Sequence, residues 1–290
     1  CDEADIIQTP AFVFPTNINY AAYTGAMSAA HPVVWGFQVR DYGTIPTQGD
    51  VDNKPTQVTS IGINVNDPNG VLQEIALYNG IGLIETQTVS GSGLITFSSP
   101  AVAANVIAPD NGTFDVIVRA RFRTTPITPP MDNQNFSFTI NQANVTLAGA
   151  ATSTQKVAFA LVGPSSTAGN DNRVVVTASQ LLFQTQPPTS TNAAITVAPP
   201  IVVQAIDANN NVDVDYAGTI TLANPNLLAG GTSTATAGVA TFATLVLTGA
   251  AVTLPGQVLN ATSAPVLTGA ASNTFSIVPS TFHQIGRAHV

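Results

Sequence analysis

Three groups of side chains in this chain have types and spacings that could do chemistry. The first is acidic. Asp41, Asp50 and Asp52 fall in one stretch, Arg40 to Lys54, while Asp132-Asn133 and Asn170-Asp171-Asn172 mark two others. Calcium takes six to eight oxygens from carboxylates, side-chain amides and backbone carbonyls. Asp41, Asp50, Asp52, Asp132 and Asp171 are therefore the candidate calcium ligands, gathered by loops at one end of a sandwich. Asx-turns and loop solubility are the competing use of the same residues. The second group is basic. Arg119, Arg121 and Arg123 alternate along one segment and so share one face of a strand. A row of guanidiniums suits an anionic polysaccharide; it also suits a solvated face or an edge guarded against pairing. The third group is Asp207, Asn209, Asn211, Asp213 and Asp215, at every second position. Val212 stands where an EF-hand loop needs Gly and Gly218 where it needs Glu, so a hairpin turn flanked by outward carboxylates is expected instead.

Catalytic patterns are missing. The sequence holds no G-x-S-x-G, H-E-x-x-H, P-loop or G-x-G-x-x-G after a strand. Ser90-Gly91-Ser92-Gly93 reads as a turn between strands, and His31 sits in a Pro-flanked loop. Glu74 and Glu85 lie in or near strands and read as solvated edge residues, not as a carboxylate pair held across a cleft. The expectation is a protein that is not an enzyme. Tyr20, Tyr23, Trp35 and Tyr42 could stack on sugar rings, but Trp35 alternates with polar residues and is expected inside.

The elements that position these groups are strands. Charged residues make up only 8% of the chain and Lys plus Arg number 8, which excludes a basic footprint for nucleic acid. The polar share is Thr, Ser, Asn and Gln, as in β-rich surfaces. Period two dominates: Trp35, Phe37 and Val39; Ile61, Ile63 and Val65; Phe114, Val116, Val118, Ala120 and Phe122; Phe136, Phe138 and Ile140. Turn signals punctuate these runs, among them Asp67-Pro68-Asn69-Gly70, Pro109-Asp110-Asn111-Gly112 and Asn209-Asn210-Asn211. Ala235 to Leu254 is uncharged, but its threonines and glycines read as two strands and a turn rather than a membrane span. The fold class is all-β: two tandem antiparallel β-sandwich modules, residues 4–178 and 180–279, the second immunoglobulin-like. The Pro- and Thr-rich run Gln184–Asn192 follows the first strand of the second module.

The ends carry less. A single cysteine excludes a disulfide framework within the chain. Cys1 reads either as the lipidated first residue of a mature lipoprotein or as an incidental residue of an internal fragment. Residues 285–290, Ile-Gly-Arg-Ala-His-Val, can be back-translated into a common short-read sequencing adapter and are read as adapter read-through, so Arg287 and His289 carry no functional weight.

Leu182-Phe183-Gln184-Thr185-Gln186-Pro187-Pro188, Val202 to Asn211, Gly238-Val239-Ala240-Thr241-Phe242 and Ser272 to Ile277 together resemble bacterial immunoglobulin-like repeats of very large secreted or surface proteins. Asn210 stands where that family prefers Gly in a turn; Asn tolerates positive φ, so the turn should survive. The first module resembles the companion domain of such repeats through Pro15 to Tyr20, Phe37 to Gly43, Ile75 to Gly80, Ala108 to Gly112 and Gly169 to Val174. The resemblance implies extracellular β-sandwich modules in tandem copies, with no catalytic residue. The expected role is structural or adhesive at the cell surface. The expected partners are neighbouring repeats and a surface polysaccharide at Arg119, Arg121 and Arg123. Calcium is the one cofactor the loops suit, and neither nucleic acid nor a transmembrane segment is expected. A carbohydrate-binding accessory module of a secreted enzyme is the alternative; an exposed coplanar aromatic pair would favour it.

Overall fold

The computed structural model describes residues 3–10, 12–41, 53–149, 155–156, 160–164, 171–249 and 251–280. The chain divides into two compact units, Cys1–Val175 and Val176–Val290. The sequence reading placed the junction near residue 179.

In the first unit, side chains alternate across each strand and their apolar members meet in one core. Along Thr113–Phe122, Val116, Val118, Ala120 and Phe122 are fully buried while Arg119 and Arg121 stay half-exposed. This strand pairs antiparallel with Val33–Arg40 on one side and Leu72–Tyr78 on the other. The sheet runs Gln155–Lys156, Glu3–Gln8, Val33–Arg40, Thr113–Phe122, Leu72–Tyr78, Leu83–Thr88. A second sheet is organised by the eleven-residue strand Thr56–Asn66. It pairs with Val145–Leu147, Ser137–Asn141, Gly93–Phe97 and Ile107–Ala108, and Ala160–Gly163 extends it beyond Ser137–Asn141.

Aromatic rings fill the first unit's core. Trp35 is wholly buried and stacks on Phe138 with ring centres 5.6 Å apart; Phe138 in turn meets Phe136 edge-on at 5.6 Å. Stacked and edge-on arrangements are the favoured ones for aromatic quadrupoles. The only α-helix among the described residues, Pro100–Asn105, begins with Pro at its first turn, where the missing N–H costs no hydrogen bond.

The second unit buries its own core of Leu181, Phe183, Ile201, Val203, Ile220, Leu222, Phe242, Leu245, Leu247, Phe275 and Ile277. Gln180–Thr185, Ile201–Ile206 and Val239–Phe242 form one antiparallel sheet. Thr232–Thr234, Thr219–Ala223, Asn260–Ala264 and Ala270–Ala271 form a second, and Ser190–Asn192, Phe275–Val278 and Leu254–Gln257 a third. The uncharged segment 235–254 contributes strands Val239–Phe242 and Val246–Leu247, and no helix among the described residues is long and apolar enough to cross a membrane.

Gly238 closes a turn no other residue would fit. Its φ is +75°, and a Cβ there would lie 2.3 Å from the Asp213 carbonyl oxygen.

Candidate functional site

The expected acidic ligands do not share one site. Asp41 follows the strand Val33–Arg40 and is fully buried; Thr56 Oγ1 donates to its Oδ1, and the Asn111 N–H to its Oδ2 at 3.1 Å. Asp50 and Asp52 lie outside the described residues. Asp171 is at the other end of the same strand, because the next residue, Asn172, donates through Nδ2 to the Val34 carbonyl at 2.9 Å. The strand between Val34 and Asp41 advances about 3.3 Å per residue, which separates the two positions by roughly 20 Å. One ion cannot bind both.

Asp132 and Asp171 do come to the same end. The Asn133 N–H donates to the Val174 carbonyl at 2.9 Å and the Val174 N–H to the Gln134 carbonyl at 2.9 Å, which zips the two loops together. Asp132 is 1% exposed and Asp171 7%. Asp171 Oδ1 has no hydrogen-bond partner, and neither has Oδ1 of the fully buried Asn172. Asp171 lines a cavity of about 130 Å³ together with Asn66, Asn135, Ser137, Phe136 and Pro164. Sequence reading missed Asn66, Asn135 and Ser137. Asn66 ends one strand, Asn135 precedes another and Ser137 begins it, so only the pairing of those strands joins them. Among the described residues, no three His, Cys, Asp or Glu side chains converge.

The arginine row lies on one strand face, as its alternation dictates, and it straps loops to the sheet. Arg119 Nη1 donates to the His31 carbonyl, and its guanidinium carbon lies 5.2 Å from the Tyr78 ring centre. Arg121 Nε donates to the Thr24 carbonyl at 3.2 Å while Nη1 pairs with Glu74 Oε2 at 3.1 Å. Arg123 Nη2 donates to the Val89 carbonyl at 2.9 Å. Glu74 is thus an ion-pair partner and not a solvated edge residue. Glu85 also has an internal role: its Oε2 accepts the Ser99 N–H at 3.0 Å, ahead of the helix.

His31 is 5% exposed and holds its own loop. Nδ1 accepts the Ser28 N–H at 3.1 Å, which assigns the ring proton to Nε2, 3.2 Å from the Gly25 carbonyl. Trp35 is buried as expected, and Tyr20 is buried too, with its hydroxyl donating to the Arg123 carbonyl at 2.5 Å. Tyr23 lies half-buried beside the His31 ring, and Tyr42 falls outside the described residues.

In the second unit the Asp207 turn corrects one expectation. Asp207 and Asp213 do not point outward; they are 3% and 8% exposed. Asp207 Oδ1 accepts the N–H groups of Asn209 and Asn211, both at 2.8 Å. Asp213 Oδ2 accepts the Ala178 N–H at 2.9 Å and its Oδ1 the Asp215 N–H at 3.0 Å. Turn N–H groups that no strand reaches need acceptors, and these carboxylates supply them. Asp215 alone of the three is exposed. Asn210 has φ +65°, the left-handed conformation expected for it.

Asp67 is the first unit's counterpart. It is 1% exposed and accepts the N–H groups of Val71 and Leu72, both at 2.9 Å. Burial pushes its carboxyl above the ordinary range, against the opposing pull of the Leu72 and Val71 N–H groups, the Arg123 charge and the Gly70 N–H.

No family model and no curated protein matches this chain. Several solved structures do. β-Glucuronidase 3 of Bacteroides uniformis is 15% identical over 75% of this chain, with a TM-score of 0.25, and this chain spans only 24% of that one. The fibronectin(III)-like modules of CbhA from Clostridium thermocellum are 8% identical over 98% of both chains, with a TM-score of 0.21. The major pilin subunit of Bacillus cereus is 8% identical over 97% of this chain and 68% of its own, with a TM-score of 0.27. Superpositions this loose carry no argument about function, and the all-β assignment rests on the strands and registers of the chain itself.

Proposed function

We propose that this chain is a non-catalytic structural or adhesive segment of a larger extracellular bacterial repeat protein, one that spaces or presents binding regions at the cell surface. One observation carries the reading: the side chains best suited to a ligand are used to tie the chain to itself. Arg119, Arg121 and Arg123 hold loop carbonyls, Asp207 and Asp213 hold turn N–H groups, and Trp35 and Tyr20 lie in the core. Such internal ties raise the cost of local opening, which suits a segment whose work is mechanical. Two separately cored units in series support the same reading, as does the sequence resemblance to tandem immunoglobulin-like repeats. The buried aromatics weigh against a sugar-stacking platform and hence against the carbohydrate-binding alternative.

The test is long-read sequencing of the intact locus. Further copies of both modules in one reading frame are the expected result. A complete gene of about this length, with no flanking repeats, overturns the proposal.

A further inference from the structure

Three Asn-Gly steps occur in the first unit: Asn69-Gly70, Asn79-Gly80 and Asn111-Gly112. At such a step an asparagine side chain can react with its own backbone, because glycine puts no side chain in the way of the attacking nitrogen. The three are alike in sequence and differ in their hydrogen bonds.

Asn79 and Gly80 lie in the loop that joins the antiparallel strands Leu72–Tyr78 and Leu83–Thr88. The Asn79 N–H donates to the Gly82 carbonyl at 3.0 Å and closes that loop. Asn79 Oδ1 accepts the N–H groups of Ile81 at 2.8 Å and Gly82 at 2.9 Å. An oxygen held by the N–H groups two and three residues ahead folds the carboxamide forward over the Gly80 peptide. Two donors on one carbonyl oxygen also polarise it, and they stand where negative charge develops once its carbon is attacked. The attacking group is uncommitted: among the described residues no acceptor takes the Gly80 N–H. Gly80 is exposed, and no atom lies within 4 Å of its Cβ position, so water and base reach it.

At the other two steps the nucleophile is tied down. The Gly70 N–H donates to the Asp67 carbonyl at 3.2 Å and the Gly112 N–H to the Pro109 carbonyl at 2.7 Å. Their carboxamides act as donors, Asn69 Nδ2 to Gln134 Oε1 and Asn111 Nδ2 to Asp110 Oδ1 at 3.1 Å. Exposure ranks the sites differently, since Asn111 is exposed and Asn79 only half-exposed.

We infer that Asn79 is a site of self-modification, at which the folded chain deamidates through a succinimide. The Gly80 nitrogen loses its proton to solvent base and bonds to Asn79 Cγ. The Cγ–Nδ2 bond breaks, and ammonia leaves with a proton from water. One water then opens the five-membered imide at either carbonyl, leaving aspartate or isoaspartate at position 79. Either product puts a negative charge beside Ile81, which is 95% exposed. Isoaspartate also routes the main chain through its Cβ and so lengthens the turn that the Asn79 N–H closes. The inference is independent of the proposed function, because the number of repeats in the parent protein does not bear on it.

The experiment incubates the full 290-residue chain in mildly alkaline buffer, with and without urea, and follows all three sites by peptide mapping and mass spectrometry. In the folded chain, position 79 should convert at least several-fold faster than positions 69 and 111, giving both aspartate and isoaspartate. In urea the three rates should converge, since only the fold distinguishes them. Gly80→Ala, whose new methyl meets no neighbour, should keep the wild-type circular dichroism and slow conversion at position 79 many-fold. Equal rates in the folded chain overturn the inference, as does a lead for position 69 or 111. Conversion at position 79 that is undiminished in Gly80→Ala overturns it as well.

Discussion

Replacing Gly238 by Ala tests whether the turn that follows the buried aspartates is a structural keystone of the second unit. Two costs add. The residue has φ +75°, where a side chain brings Cβ against its own carbonyl; that costs about 1–2 kcal/mol. The new Cβ would also lie 2.3 Å from the Asp213 carbonyl oxygen and 2.7 Å from Val212 Cγ1. Asp213 cannot move away freely. Its carbonyl accepts the Tyr216 N–H at 3.2 Å, its N–H donates to the Ala205 carbonyl at 3.2 Å, and its carboxylate holds Ala178 and Asp215. Overpacking of this kind costs about 1–3 kcal/mol. The sum is about 2–5 kcal/mol, against a usual domain stability of about 5–15 kcal/mol. At an unfolding entropy of about 2 cal/mol/K per residue, a unit of this size loses roughly 4 °C per kcal/mol, so its midpoint should fall by about 8–20 °C. Gly256→Ala is the matched control: φ there is +68°, but nothing lies within 4 Å of its Cβ position. Only the backbone cost applies, and the midpoint should fall by about 4–8 °C. Differential scanning calorimetry of the full chain reads both. Equal shifts for the two variants would refute the close-contact argument, and no shift for either would refute the backbone argument as well.

Two further stability effects follow from buried charges in the first unit. Arg40 Nε donates to Asp5 Oδ1 at 2.7 Å and Nη2 pairs with Oδ2, while the Asp5 side chain is 2% exposed. Arg40→Gln should cost about 3–5 kcal/mol, because the carboxylate stays buried without its cation; a double-mutant cycle with Asp5→Asn that gives no coupling energy would contradict this. For Asp67, the folded pKa lies above the unfolded one, so the folded state holds the extra proton. The stabilisation from that proton is complete below the ordinary carboxylate range and is lost as pH rises through the raised value. Asp67→Asn cannot ionise, so its deficit relative to wild type should shrink between about pH 4 and about pH 7. Melting curves of both chains at the two pH values check the sign, and a deficit that widens with pH contradicts it.

Much of the fold was legible because strand side chains alternate with a period of exactly two residues. That period alone places Val116, Val118, Ala120 and Phe122 inside and Arg119 and Arg121 on the other face, and it places Trp35 in the core. Local turn chemistry was equally legible: Asn210 takes the left-handed conformation because its short side chain tolerates it. The roles of the charged groups were not, because their partners are distant in sequence. Arg40 finds Asp5, Asp41 finds Thr56 and Asn111, and Asn172 finds Val34, each through a strand pairing or loop docking that no local pattern encodes. Tertiary structure also decided that Asp41 and Asp171 belong to opposite ends of one strand, and that Asp207 and Asp213 turn inward. Composition supplies the carboxylates. Whether each meets solvent, an N–H group or a cavity depends on which backbone groups the neighbouring strands leave unpaired.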